Sequence, residues 1–258
     1  MTCGILALLT DFGHRDPYVG IMKGVILSIA PQARLVDLCH EVAPQDIVEG
    51  SLLLQSALDY FPPGTLFVAV VDPGVGGERR ALAVRGERHL YVAPDNGLLA
   101  LALRRDRMRE ARQILPGPYT LARISPTFHG RDVFAPVAAH LCRGVRLEDL
   151  GPPATDLVDL EMAANERQGR LLRTRVLHVD RFGNLVTGLH RSECPSPVEV
   201  RVAGVSLPLL ETYSQAPPGA ALALWGSSDH LEISVNRGNA QECLGAGRGT
   251  VVEVVFEE

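Results

Sequence analysis

Lysine is almost absent from this chain: 24 of its 25 basic residues are arginine and only Lys23 is lysine. A GC-rich genome explains that skew as well as any structural demand, and no function is read from it. Long basic runs are also missing and the formal net charge is -5, which argues against nucleic acid or an anionic membrane as the main partner and leaves small molecules. The five cysteines (Cys3, Cys39, Cys142, Cys194 and Cys243) are odd in number, scattered and free of CxxC spacing. Neither a disulfide framework nor a metal site is suggested, and reduced, mostly buried thiols are expected. No positively charged segment opens the chain, and the first apolar run stops at Asp11. That run is far too short for a signal peptide or a membrane span, so the expected compartment is the cytoplasm. Internal repeats are absent and low-complexity content is negligible.

With 258 residues, 46% of them hydrophobic, the chain sits near the length at which one core divides into two. An α/β amino-terminal domain with a mainly parallel sheet is expected over residues 1–155, a linker over 156–169, and a smaller all-β, barrel-like domain over 170–258. Ile5 to Leu9 is a continuous apolar run of the buried parallel-strand kind, ending in Thr10-Asp11-Phe12-Gly13. Asp16-Pro17 then opens a helix, with Asp16 able to cap it and Val19, Met22, Val25, Ile26 and Ile29 at helical spacing. Asp11 and Asp16 thus bracket a strand-to-helix turn, where two carboxylates can grip a hydroxylated ligand such as a ribose diol. Arg34 to Leu38 reads as a strand and Asp46 to Phe61 as a helix, with Asp46 and Glu49 at capping-box spacing. The strand Thr65 to Val71 follows, and the rhythm implies right-handed crossovers.

That third strand delivers Asp72 into Pro73-Gly74-Val75-Gly76-Gly77, with Arg79 and Arg80 just beyond. At the carboxyl end of a strand in an open α/β sheet, a carboxylate faces the ligand crevice. Short strands are expected at Ala81 to Val84 and His89 to Ala93, and a helix from Gly97 to Leu103. The charged run Arg104 to Arg112 reads as a solvated helical face. A second polar stretch, Thr127-Phe128-His129-Gly130-Arg131-Asp132, precedes helical spacing over Val133 to Leu141 and places His129 in a loop. Beyond residue 170 helix signals cease, and six strand-length segments alternate with turns. Asp180-Arg181-Phe182-Gly183-Asn184 lies between the first two of them. Ser227 and Ser228, then Asn236 and Arg237, lie in later polar loops, where such residues also serve as ordinary turn formers.

Taken together and in order, TDFGHRDPYVGIMKG, VVDPGVGGERR, APDNGLL, TFHGRDVFAPVAAHL, DRFGN and LEISVNRGNA resemble the S-adenosyl-L-methionine (SAM) hydroxide adenosyltransferases. These are cofactorless SAM hydrolases related to the fluorinating and chlorinating SAM enzymes. The resemblance implies a homotrimer whose sites form between the amino-terminal domain of one subunit and the carboxy-terminal domain of the next. It also implies attack of water, behaving as hydroxide, on the ribose 5′ carbon of SAM, releasing L-methionine and adenosine. By the same resemblance Asp72, Arg79 and His129 form the catalytic set, with either Asp72 or His129 as proton acceptor. Asp11 is the ribose carboxylate and Asp16 shares its turn. Asp180 accepts the methionine ammonium, Phe182 stacks on adenine and Asn184 meets the adenine edge. Ser227 and Ser228 hold the methionine end, and Asn236 with Arg237 offers main chain to adenine.

The fluorinating relatives carry a serine beside the aromatic of the halide pocket and an extra loop, whereas this chain reads Phe128-His129-Gly130 and has no long insertion after Asn96. Both differences favour hydroxide, although a small residue at Gly130 is also the chlorinating arrangement. A halogenase and a SAM- or adenosine-binding sensor with little turnover remain as alternatives.

Overall fold

The computed structural model describes residues 4–160, 165–194 and 197–256, and the chain divides into two compact units, Met1–Glu161 and Met162–Glu258. In the first, strands β1 (Ile5–Thr10), β2 (Arg34–Cys39), β3 (Leu66–Val70), β4 (Ala81–Arg85), β5 (Leu90–Pro94) and β6 (Glu110–Gln113) form one sheet in the order β2-β1-β3-β5-β4-β6. The β1/β2, β1/β3 and β3/β5 pairs are parallel, and β4 runs antiparallel to both β5 and β6. Helices α1 (Tyr18–Ile29) and α4 (Ala135–Cys142) cover one face, α2 (Ile47–Ala57) and α3 (Ala100–Arg105) the other. Leu6 and Leu8 of β1 therefore enter one core and Ala7 and Leu9 the other. Burial on both faces is why this strand reads as an unbroken apolar run. After β1 the chain adds β2 on one side and β3 on the other. The resulting switch point puts the loops after β1 and β3 side by side at the carboxyl edge, where α/β sheets bind ligands.

Local chemistry corrects several expectations. Pro17 takes the N-cap position of α1, which has no side-chain cap; Asp16, one residue further out, does not serve as the cap. Asp46 does cap α2, accepting from Glu49 N, while the Glu49 carboxylate accepts from Ala43 N. The charged run after α3 is not one helical face: α3 stops at Arg105 and residues 110–113 form edge strand β6. Ala111 is the buried position of that strand, and its one arginine, Arg112, pairs with Glu110. A π-helical turn, Gly130–Phe134, leads into α4. Residues 156–159 lie along the first unit, held by Arg80 to Asp156, Asp95 to Val158 N and Arg104 to Asp159.

In the second unit β7 (Glu166–Gln168), β8 (Leu171–Val179), β9 (Leu185–His190), β10 (Pro197–Val202), β11 (Val205–Leu207), β12 (Ala221–Trp225), β13 (His230–Val235) and β14 (Val251–Phe256) form a sheet ordered β11-β10-β14-β8-β9-β13-β12, with β7 beside β8. Its named pairings are antiparallel. Just beyond β11, Leu209 bridges Ala223 of β12, which brings the two edges together as a nearly closed barrel around Val176, Leu185, Val200, Leu231, Ile233 and Val254. Helix signals do not in fact cease here: α5 (Ala240–Leu244) is capped by Asn239, which accepts from Glu242 N, and ends at left-handed Gly245. Cys142 and Cys194 are buried, Cys39 partly so, and Cys243 is exposed; Cys3 lies outside the described residues.

Candidate active site

Thr10 pairs with Val70 in the parallel register of β1 and β3, so Asp11 and Asp72 leave neighbouring strands at the same edge. Beyond Asp72 the loop turns at Gly76, whose φ is 75° and whose Cβ, if present, would lie 2.1 Å from the Pro126 carbonyl oxygen. Glycine alone permits both that backbone and that approach. The contact joins the loop carrying Arg79 to the segment that leads to His129.

Arg79 links two partners. Its Nε donates to both Asp72 oxygens at 2.9 and 3.0 Å, and its Nη2 lies 2.5 Å from Asp72 Oδ2 and 2.7 Å from His129 Nδ1. The Arg79 and Asp72 side chains are 11% and 5% exposed, so their hydrogen bonds operate away from bulk water, where they are stronger. A guanidinium only donates, so His129 Nδ1 accepts, and the neutral ring carries its proton on Nε2. Burial lowers the His129 pKa and the Arg79 charge adds to the fall, while Asp72 and Asp132 oppose it. The imidazole is thus kept neutral near pH 7.

His129 enters the π-helical turn, an irregularity frequent at functional sites. Fully buried Asp132 anchors this turn, accepting from Arg131 Nε at 2.5 Å and Ser125 N at 2.8 Å. Phe12, Tyr18 and Phe128 meet edge to face with centroids 5.9, 5.8 and 5.2 Å apart. A Cβ on Gly130 would come within 3.1 Å of Met22 Sδ and 3.2 Å of Phe12 Cε2, so a side chain there would press on that aromatic group.

Asp11 Oδ2 accepts from Gln45 N at 2.8 Å. Burial raises the Asp11 carboxyl above its ordinary pKa, the Gln45 N–H opposes the rise, and the negative charge of Asp72 adds to it. Asp16 is exposed at the far end of the same turn. Gln45 was not foreseen as part of the site: its φ is 66°, a conformation that no compositional signal announces in a glutamine.

The second unit assembles most of its own set. Asp180 Oδ1 accepts from Phe182 N at 2.8 Å and Asn184 N at 2.9 Å, and Asn184 Nδ2 donates to Asp180 Oδ2 at 2.9 Å. Phe182, 74% exposed, lines a pocket with Asn184, Tyr213, Arg237 and Asn239. Tyr213, also unforeseen, donates its hydroxyl to buried Glu232 at 2.7 Å. Its own pKa is pushed up, by burial first and that carboxylate next. Asn236 borders this end of the barrel and donates from Nδ2 to Ala216 O at 2.7 Å. Ser227 and Ser228 occupy the turn between β12 and β13, at the opposite end of that hairpin, and do not line the Phe182 pocket. Among the described residues no group of three or more His, Cys, Asp or Glu is arranged to hold a metal ion.

The chain matches the SAM hydroxide adenosyltransferase N-terminal domain over residues 6–151 and the C-terminal domain over residues 174–253. It belongs to the SAM hydroxide adenosyltransferase family. A family relative from Thermus thermophilus, the (R)-S-adenosyl-L-methionine hydrolase, is 44% identical, with 96% of this chain and 98% of that protein aligned. A fluorinase from Nocardia brasiliensis is more distant, 29% identical over 90% of each chain. The crystal structure of an uncharacterized conserved protein from Thermotoga maritima superposes with a TM-score of 0.91 at 34% identity, covering 97% of this chain and 99% of that one.

Proposed function

We propose that this protein hydrolyses S-adenosyl-L-methionine to adenosine and L-methionine, and that Asp72, Arg79 and His129 activate the water. The hydrogen-bonded Asp72–Arg79–His129 group beside Asp11 is the observation that carries this reading; the 44% identity to a SAM hydrolase supports it. In the reaction the water oxygen bonds to C5′, the C5′–S bond breaks with its electron pair passing to sulfur, and the leaving group is a neutral thioether. No acid is needed for that departure and no cofactor enters the balance. The difficulty is the nucleophile, since bulk water has a pKa near 15.7. With His129 Nδ1 accepting from Arg79, Nε2–H is a donor that can hold the attacking oxygen. The Asp72 carboxylate, which keeps lone pairs beyond those Arg79 uses, accepts the proton. Arg79 favours the developing hydroxide and keeps the carboxylate in place.

Asp11, with Asp16 in its turn, binds the ribose. Asp180 takes the ammonium, Phe182 stacks on adenine and Asn184 meets its edge through the atoms left free by Asp180. Ser227 and Ser228 bind the methionine end and Asn236 and Arg237 the adenine. The two sets complete one site across subunits of a homotrimer. Its proposed working compartment is the cytoplasm, and no helix of the described residues is long and apolar enough to cross a membrane.

The name of the Thermus relative specifies the R form, and a sulfonium sulfur with three different carbons is a stereocentre. The proposed substrate is accordingly the R epimer at sulfur. Separate incubation with each resolved epimer tests this: methionine should appear from the R epimer much faster than from the S epimer. Equal rates would remove the stereochemical part of the proposal.

A further inference from the structure

Behind the Asp11 turn runs a polar chain that starts at buried Thr10 and His40 and ends at the solvent-accessible Asp37 and Lys23. The β1/β2 register slips between Leu8, opposite Asp37, and Leu9, opposite Cys39. One residue later the slip sets His40 beside Thr10. His40 Nδ1 lies 2.8 Å from Thr10 Oγ1, and its Nε2 lies 3.0 Å from Asp37 Oδ1. Asp37 Oδ2 in turn accepts from Lys23 Nζ at 2.6 Å. Thr10 Oγ1 also accepts from Phe12 N at 3.3 Å, and the His40 carbonyl accepts from Gly13 N at 2.7 Å. One consistent assignment satisfies every group: Thr10 donates its hydroxyl hydrogen to Nδ1, and His40 donates Nε2–H to Asp37.

Thr10 and the His40 side chain are both fully buried, so neither reaches a ligand. What they hold is the backbone on each side of Asp11. Residues 10, 12 and 13 are all tied to His40 directly or through Thr10, and the Asp11 carboxylate itself is tied to Gln45 N. A turn that only needed to connect β1 to α1 would not require a hydrogen-bonded chain reaching from Lys23 in α1 through β2. Polar groups as buried as Thr10 and His40 are retained at a cost unless every partner is present, and their bonds end on the backbone that flanks Asp11.

We propose that His40 is a positioning residue: braced by Asp37 and Lys23, it fixes the turn that presents Asp11, and so sets where the ribose lies relative to Asp72, Arg79 and His129. This rests on the reading of Asp11 as the ribose carboxylate. His40 acts through Asp11 and touches no reacting atom.

The test is a double-mutant cycle on the full-length protein, reading adenosine affinity by calorimetry together with KM and kcat for SAM. His40→Asn keeps a polar atom near the position of Nδ1, whereas His40→Gln reaches toward Asp37 and abandons Thr10. Misplacing a binding group by an ångström is costly, so His40→Gln should weaken adenosine and raise KM by about tenfold or more, with His40→Asn within about threefold of wild type. If His40 acts through Asp11, adding His40→Gln to Asp11→Ala should cost less than about twofold further. The full His40→Gln loss persisting in the Asp11→Ala background would overturn the proposal, as would an unchanged adenosine affinity and KM in His40→Gln. Should His40→Gln fail to fold, Thr10→Val enters the same cycle under the same criteria. Asp11→Ala with undiminished adenosine affinity would overturn the ribose reading and this proposal together. A wild-type protein that binds adenosine but releases no methionine would defeat the hydrolase reading alone, because the affinity cycle remains readable.

Discussion

Arg79 holds a carboxylate and an imidazole with one guanidinium, and the two contacts respond differently to change. Arg79→Lys keeps the charge but replaces the planar fork by a point charge. It should lower kcat about 100-fold while leaving KM for SAM within a small factor, since the group acts on the water rather than on the bound substrate. A steady-state comparison of kcat and KM checks this split. The acid limb belongs to His129. Its pKa lies below the ordinary histidine value, chiefly through burial. Protonating Nδ1 would turn the acceptor toward the Arg79 donor into a second donor. The pH profile of kcat/KM should therefore stay flat through pH 7 and fall only below about 6.5; a limb at or above 7 would contradict the neutral-imidazole assignment. At this scale the sequence was legible where glycine and proline announce a loop around a polar residue, as at Asp72, Arg79 and His129. It was silent where a buried side chain acts from behind a turn or from an unusual conformation, as with His40 just past β2 and Gln45 at positive φ.

Among the elements, the loop from Asp72 to Arg79 depends on Gly76. Gly76→Ala demands a left-handed alanine and a methyl 2.1 Å from the Pro126 carbonyl. It should destabilise the protein by about 1–3 kcal/mol through backbone strain and displacement of the loop. A thermal melt measures the first effect and kcat the second, and both should fall together. The strands of the parallel core were readable because burial on two faces leaves a continuous apolar stretch. Edge strand β6 was not, because its charged residues alternate around the single buried Ala111 and imitate a solvated helix. Helix α5 spans only five residues, too few for a periodic pattern, and its signal was confined to the Asn239 cap and Gly245. Asp16 misled for a related reason: proline at the N-cap instead of the first helical position moved the aspartate out of capping reach.

For the molecule as a whole, His40, His89 and His230 share one feature: burial lowers each of their pKa values in the folded protein. The unfolded chain binds more protons than the native state as pH falls through the ordinary histidine range. Stability should therefore be fully present above about pH 6.5 and decline progressively below it. Denaturant titrations at pH 7.5 and 5.5 check the direction, and greater stability at pH 5.5 would contradict it. The two-unit plan and the barrel-like second unit were legible from the change in periodicity near residue 150, while the contact that joins the barrel's edges was not, since it is the isolated Leu209–Ala223 bridge between segments with no pattern in common.

Water is proposed to attack C5′ of SAM at the Asp72–Arg79–His129 group. The most direct measurement is incubation with SAM in water enriched in oxygen-18, with and without chloride, and mass spectrometry of the products for wild type, Asp72→Ala and His129→Ala. Free methionine and adenosine carrying the heavy oxygen at its 5′ position are expected, independent of chloride and lost in both variants. Saturable SAM binding without labelled adenosine, or a 5′-chlorinated nucleoside in its place, would contradict the proposal.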